Sequence, residues 1–577
     1  MTSSGKRKAQ QRQAGFRLLI MVAILVCINM LASRFHYGLD LTSEKRFTLT
    51  QSTKNLLRKM DDVAVIDVYL EGKHFPPDFQ RMRDAVRERL QALKEYAGPH
   101  IVFRFSDPFE GKGDKEMAEV YQRFAQRGMV GIPINQSTDE RYTEQIVVPY
   151  AIIQYKGKEA PPILLLEGHL GMNRQEQLNY SESMLEYKFA SAINQINKPD
   201  LPRIAYVMGN GEQLGFHTYD ALKTLSKNYH LDTIDINNGT HIPSVYAAAI
   251  ICKPTIPFDD RQKYKIDQYV MHGGKMLWLL DQVQASMDSF HNSEQFIATD
   301  YALNLDDLLF KYGVRVNADL IEDLQCNRIG VMPQNANPNE QGAHLQMFPW
   351  SYFPVFVPTS HHPIVNNMDG IMSQFVNSID LIGNPEIKKT VLLESSQYSR
   401  STMSPARVSL SMLRYRPNPE LYKKGFKPTA VLLEGKFQSA FQDRMHPEFL
   451  RILRDSLKQP FKATADAAGA MIVISDGDMM LNDVTQSQGP MELGYWRFDK
   501  VRYANKSFIL NCVEYLTDQS GLLEARSKDV RLRLLDGGRV KSEKTKWQII
   551  NIVVPIALVL VFASAYIFFR KRRYEGV

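Results

Sequence analysis

Cysteine is scarce in this chain. Its 577 residues include four, Cys27, Cys252, Cys326 and Cys512. None forms a Cys-x-x-Cys pair, which removes zinc-ribbon and thioredoxin-type redox chemistry from consideration. A Cys252–Cys326 disulfide stays open for a chain in an oxidising compartment. Three catalytic signatures are missing as well. There is no His-Glu-x-x-His, no Gly-x-Ser-x-Gly and no Gly-x-x-x-x-Gly-Lys-Ser/Thr. The last absence means that the chain is not an ATPase of the P-loop type. No motif calls for a cofactor or a resident metal. A basic binding face is lacking too, despite a net charge of +7. Residues 1–17 hold Lys6, Arg7, Lys8, Arg12 and Arg17 with no acid, and residues 570–577 hold four basic residues against Glu575. These two tails together exceed the total by one, so residues 18–569 carry one net negative charge. Nucleic acid is therefore not an expected partner.

Each basic tail borders an apolar run. Residues 18–33 are uncharged between Arg17 and Arg34, and residues 547–569 are uncharged throughout. We expect transmembrane helices over 16–35 and 547–569. Arginines at the ends extend the shorter one by snorkelling, and lipid-embedded helices tolerate a proline such as Pro555. The excess of basic residues puts the tails 1–15 and 570–577 in the cytoplasm and leaves a large periplasmic region between two inner-membrane spans. Lys541, Lys544 and Lys546 on the other flank weigh against this topology. The rival reading of the first run is a cleaved signal peptide ending near Ala32-Ser33.

The soluble region alternates strand and helix patterns. Apolar runs at 204–208, 231–236, 247–252 and 276–280 read as strands, with helices over 214–229 and after Asp259, the latter ending at Gly273-Gly274. Such alternation predicts a parallel sheet covered on both faces, with ligands expected beyond the strands' carboxyl ends. Those ends carry Gly209, Glu212, Asp235 and Asp281. Upstream, strands at 63–70 and 101–105, helices at 51–60, 78–97 and 117–124, a hairpin over 145–166 and a helix near 185–196 follow a thioredoxin-type order, without a cysteine. Pro199 and Pro202 mark a boundary. Downstream we expect a helix at 303–312, a loop at 333–349, strands at 390–394, 430–434 and 470–474, and a helix at 505–517. The expected division is a 36–200 domain, a 201–530 α/β domain and a 531–546 linker.

Candidate chemistry is thin. Gly209-Asn210-Gly211-Glu212 links a strand to a helix, where backbone N–H groups can cradle an anion. A dinucleotide fingerprint needs a further glycine where Leu214 stands. Glu212 either holds a ligand or caps the helix start. Asp476, Asp478 and Asp483 can gather oxygen ligands for a divalent cation or stand as solvated strand-end carboxylates. Cys252 ends a strand, but Pro254 and Pro257 leave no sharp nucleophile turn, so a buried inert thiol is expected. His361-His362-Pro363 has no acidic neighbour in sequence.

Several stretches taken together carry a resemblance: 40–53, Val68-Tyr69-Leu70-Glu71-Gly72, 181–192, 209–212, 267–275, 431–441 and 508–523. In these the chain resembles the gliding-motility-associated ABC-transporter auxiliary proteins, G component, over nearly its whole length. The resemblance implies a fold: a thioredoxin-like domain, then a glutamine-amidotransferase-like, Rossmann-type α/β domain similar to that of an intraflagellar-transport protein, flanked by two spans. It also implies partners, an ABC-2-type permease and a separate P-loop ATPase, with other envelope proteins beyond them. The expected function is then that of a non-catalytic periplasmic subunit. The alternatives are a tethered solute receptor binding at Gly209, Asn210, Gly211 and Glu212, or a membrane-anchored hydrolase using Asp476 and Asp478.

Overall fold

The computed structural model describes residues 15–17, 19–30, 48–72, 75–138, 141–168, 172–198, 200–291, 293–331, 345–445, 447–455, 460–518, 520–527 and 537–574. The chain forms two compact units, Met1–Asp529 and Val530–Val577. The second is built on one helix, Gly537–Tyr574. Its stretch Ser542–Arg572 is long and apolar enough to cross a membrane and contains Pro555. At the other end of the chain Gly15–Met30 is a shorter apolar helix. The rest of the span expected over 16–35 lies outside the described residues.

In the first unit, helix Pro77–Ala97 shows how the early part is organised. Proline begins it, where a missing N–H costs nothing, and Gly98 at φ 61° ends it. Phe79, Met82, Val86, Leu90 and Leu93 recur at helical spacing, and all are buried. They pack on a sheet in which Ala64–Val68 is central. Ile101–Phe105 pairs with it in parallel and Tyr150–Tyr155 antiparallel. Helix Arg174–Asn197 completes this core, its cap Asn173 exchanging hydrogen bonds with Glu176. Ile132–Thr138 and Arg141–Val147 form a separate antiparallel pair, so the expected hairpin over 145–166 begins earlier and branches. The core closes on a distant segment: Leu522, 1% exposed, belongs to it. Tyr187 on the same helix donates a hydrogen bond to Glu514 Oε2 (2.5 Å).

The largest sheet has seven strands, in the order Ile387–Glu394, Pro428–Gly435, Gly469–Ile474, Met276–Leu279, Tyr246–Cys252, Arg203–Met208, His230–Asp235. The last five are mutually parallel, and Pro428–Gly435 runs antiparallel to both of its neighbours, Gly469–Ile474 and Ile387–Glu394. Tyr206 lies opposite Ile250, and Ile250 opposite Leu277. The central strands are apolar at successive positions because both faces are covered. Ile204, Tyr206, Ile250 and Cys252 enter one core, whereas Ala205, Val207, Ala249 and Ile251 enter the other. Helix Asp260–Met271 covers the second face, started by a capping box between Asp259 and Gln262. Helix Asn505–Thr517 covers the first with Phe508, Ile509, Cys512, Val513 and Leu516.

Two expectations are corrected here. The helix read over 214–229 is confined to Tyr219–Leu225. Gly215 takes φ 126° and its N–H donates to Thr218 Oγ1 (3.2 Å), so residues before 219 form a turn. The loop read over 333–349 is in part a strand, Gln346–Phe356. Pro349 and Pro354 disguise it, and they face Arg328 and Cys326 across an irregular pairing where a ladder N–H is dispensable. Between residues 283 and 409 the chain makes several small sheets over an aromatic core that includes Trp350, Tyr352, Phe353 and Phe375.

Candidate functional site

The parallel strands deliver their loops to one edge of the sheet, and two constellations form there. The first is built on Lys253. Directly after strand Tyr246–Cys252, this residue adopts φ 51°. Its Nζ lies 3.0 Å from Asp281 Oδ2 and 2.6 Å from Asp478 Oδ1. Gly477 admits this approach, since a Cβ there would fall 2.6 Å from Lys253 Cβ. Its N–H also donates to Asp281 Oδ1 (2.6 Å). Beneath the pair, Asp476 is fully buried and accepts the N–H groups of Gln374 (2.9 Å) and Asp478 (2.7 Å). Burial, then the charges of Asp478 and Asp281, hold the Asp476 carboxyl well above the ordinary carboxylate range. Burial raises Asp478 too, against the opposing pull of Lys253. Burial works against the Lys253 ammonium, yet Asp281 and Asp478 keep its pKa well above the usual lysine value. Asp483, raised by burial, lies near Arg497 and His217, and His217 Nδ1 sits 3.2 Å from Asn482 O.

This cluster is closed on itself. Two carboxylates hold the lysine, so its amine is not free to act as a base or nucleophile. Among the described residues no group of three or more His, Cys, Asp or Glu side chains is placed to hold a metal ion. Cys252 is buried, its thiol pushed up to about 12 by burial, with Sγ directed at Gly477 O (3.8 Å). Cys252, Cys326 and Cys512 are free thiols. His362 lies elsewhere, edge-on to Tyr515 at 5.0 Å. Asp235 caps its own turn, accepting from Asn237 N–H (2.9 Å) and Asn238 Nδ2 (2.8 Å).

The second constellation is the Gly209–Glu212 loop. Gly209 and Gly211 have φ of 131° and 81°, and a Cβ on Gly211 would fall 2.1 Å from Thr255 Oγ1. Glu212 folds back so that Oε2 accepts the Asn210 N–H (2.7 Å). The protein's own carboxylate thus takes a backbone amide of this anion-cradling turn. Asn210 Nδ2 donates to Pro257 O and Gln262 Oε1, both at 3.0 Å, which ties the loop to the cap of the next helix. Glu212 Oε1 and Asn210 Oδ1 are buried and have no hydrogen-bond partner among the described residues. Burial raises the Glu212 pKa, against three backbone donors. Sequence reasoning named Gly209, Asn210, Gly211, Glu212, Asp281, Asp476 and Asp478 but missed Lys253 and His217. A lysine closing an apolar strand among prolines was the available signal for Lys253.

The chain belongs to the ABC-transporter auxiliary family, described as an ABC-type uncharacterized transport system, whose model matches residues 201–512. A model for a domain of unknown function matches residues 43–154. A relative from Borreliella burgdorferi, described as an uncharacterized protein, is 19% identical over 577 residues, covering 96% of this chain and 98% of its own length. Among solved structures, the mmIFT52 N-terminal domain is 13% identical with a TM-score of 0.30, covering 55% of this chain and 97% of that one. An exo-β-1,4-mannosidase from an Opitutaceae bacterium, strain TAV5, is 10% identical with a TM-score of 0.18, covering 53% of this chain and 35% of its own. At these scores neither likeness bears on function.

Proposed function

We infer that the protein is a non-catalytic, membrane-anchored subunit of an ABC-2-type transporter of the gliding-motility or envelope kind. The family match over 201–512, on a chain that also carries the apolar helix Ser542–Arg572, is the observation that carries this reading. The permease and a separate P-loop ATPase are the partners, and the large region between the apolar segments is periplasmic. Asn551 is a polar group within the candidate span, and Ala557, Ala563 and Ala565 provide small side chains, the means by which helices associate in lipid. The thioredoxin-like reading of 36–200 draws support from its parallel and antiparallel pairings around Ala64–Val68. The amidotransferase-like reading of 201–530 draws support from the five parallel strands. Extraction in mild detergent should recover the native protein with a multi-span permease and a P-loop ATPase. Replacing residues 547–569 with an unrelated apolar helix should weaken that association. Recovery of the protein alone, under conditions that keep other ABC complexes intact, would count against the subunit reading.

A second reading, a tethered solute receptor at Gly209, Asn210, Gly211 and Glu212, is favoured by one observation. The buried Glu212 Oε1 and Asn210 Oδ1 lack donors among the described residues, and a ligand's N–H or O–H groups would satisfy them.

A further inference from the structure

A cavity of about 560 Å³ opens at the amino ends of strands Tyr246–Cys252 and Met276–Leu279. Its wall includes His241, Lys265, His272, Lys275 and Lys462 and, among the described residues, no aspartate or glutamate. Two of the lysines are engaged. Lys265 Nζ donates to Ile236 O (2.6 Å) and Asn238 O (3.3 Å), and Lys462 pairs with Asp466. Lys275 is different: among the described residues its Nζ has neither an ion-pair partner nor an acceptor, although the side chain is only half exposed. Burial draws its pKa below the usual lysine value, with the charge of Asp518 opposing.

The neighbouring helix Asp260–Met271 ends at this cavity, where its final carbonyls would repel an anion. Three of them are covered instead. His272, Gly273 and Gly274 donate their N–H groups to Gln268 O (3.0 Å), Val270 O (3.0 Å) and Tyr269 O (2.8 Å). His272 Nδ1 also lies 2.7 Å from Gln268 O. A carbonyl only accepts, so Nδ1 carries a proton, and Nε2 is the ring atom left for a ligand, donating to an oxyanion when the ring takes up its second proton. Tyr264, edge-on to Phe441 at 5.5 Å, adds a flat half-buried wall. Among the described residues no arginine lines the cavity. Point-like ammonium and imidazole groups suit a tetrahedral oxyanion better than a planar carboxylate, which favours the arginine fork.

We propose that this cavity binds a phosphate-bearing small molecule, with the phosphate on Lys275 and His272 and the rest of the molecule against Tyr264. The phosphate belongs either to a soluble ester or to a lipid headgroup. Thermal unfolding of the full-length protein in detergent separates the two. The probes are sodium phosphate, glycerol 3-phosphate and dihexanoyl-phosphatidylglycerol, each compared with sodium chloride at equal ionic strength. A phosphate compound should raise Tm beyond chloride, and Lys275→Gln should weaken its apparent affinity about tenfold or more, the usual effect of deleting one charged hydrogen-bond partner. Lys275→Arg should retain part of the response, and the exposed control Lys227→Gln should retain all of it. A response to phosphate or glycerol 3-phosphate assigns a soluble ligand, and a response to the lipid alone assigns a headgroup. If Lys275→Gln does not fold, Ser244→Trp at the exposed mouth blocks the cavity and is read in the same way. Failure of all three probes to exceed chloride, or equal responses from wild type and the cavity variant, overturns the proposal.

Discussion

The two ends of the seven-stranded sheet handle charge in opposite ways. At the carboxyl ends, Asp281 and Asp478 hold Lys253 at close range, and Glu212 turns back on its own loop. At the amino ends, lysine side chains face an open cavity with no carboxylate in its wall among the described residues. General expectation for parallel sheets places function at the first of these. The difference teaches that a dense cluster of titratable groups marks a ligand site only where some charge or lone pair is left unanswered. The Lys253 ammonium is answered twice, whereas that of Lys275 has no partner among the described residues.

The largest effect expected from this contrast comes from removing the answered cation. Lys253→Met leaves Asp281 and Asp478 facing each other beside the buried Asp476. Breaking a buried pair in this way costs about 3–5 kcal/mol. Urea unfolding of the full-length protein should show it, while Lys275→Gln without phosphate should stay within about 0.5 kcal/mol. Equal costs for the two lysines would erase the comparison.

A smaller effect is expected at Gly211→Ala. Its φ of 81° and the 2.1 Å approach to Thr255 Oγ1 predict a loss of about 1–3 kcal/mol. The double variant with Thr255→Ala should recover the part due to the clash, leaving the backbone strain. Full additivity of the two substitutions would show that Thr255 is not the obstacle.

The smallest effect, taken per pH unit, is a slope. The Asp476 pKa is raised in the folded protein, so the folded state holds a proton that the unfolded chain has released. Stability therefore rises as pH falls through the folded pKa toward the ordinary carboxylate value, by at most about 1.4 kcal/mol per pH unit for one proton. Asp476→Asn should flatten that slope in the range above the ordinary carboxylate value of about 4. An unchanged slope in the variant would assign the proton to another group.

Much of the central sheet was legible because its inner strands Tyr246–Cys252 and Met276–Leu279 are apolar at successive positions and are followed within two residues by proline or aspartate. Strands Tyr246–Cys252 and Gly469–Ile474 and helix Asn505–Thr517 fall within a residue of their expected limits. Legibility failed where local pattern and long-range pairing conflict. Leu214, Thr218 and Leu222 have helical spacing, but Gly215 and the Thr218 hydroxyl hold a turn. The Gln346–Phe356 strand carries two prolines that single-sequence propensity counts against a strand. At the site, individual carboxylates could be picked out from strand ends. That Lys253 joins Asp281 to Asp478 could not, since the partners lie 28 and 225 residues away in the chain.

The return of the chain to its beginning has a consequence during synthesis. Leu522 fills the core formed by residues 49–196, and Tyr187 bonds to Glu514, 327 residues further on. The part made first therefore cannot seal until nearly everything else has been made. At translation speeds of roughly 5–20 residues per second, helix Arg174–Asn197 waits on the order of 20–60 s for the residues that close over it. During that interval its apolar stripe needs a chaperone or a crowded nascent neighbour, and a ribosome that stops before codon 522 leaves behind a first domain with an open seam.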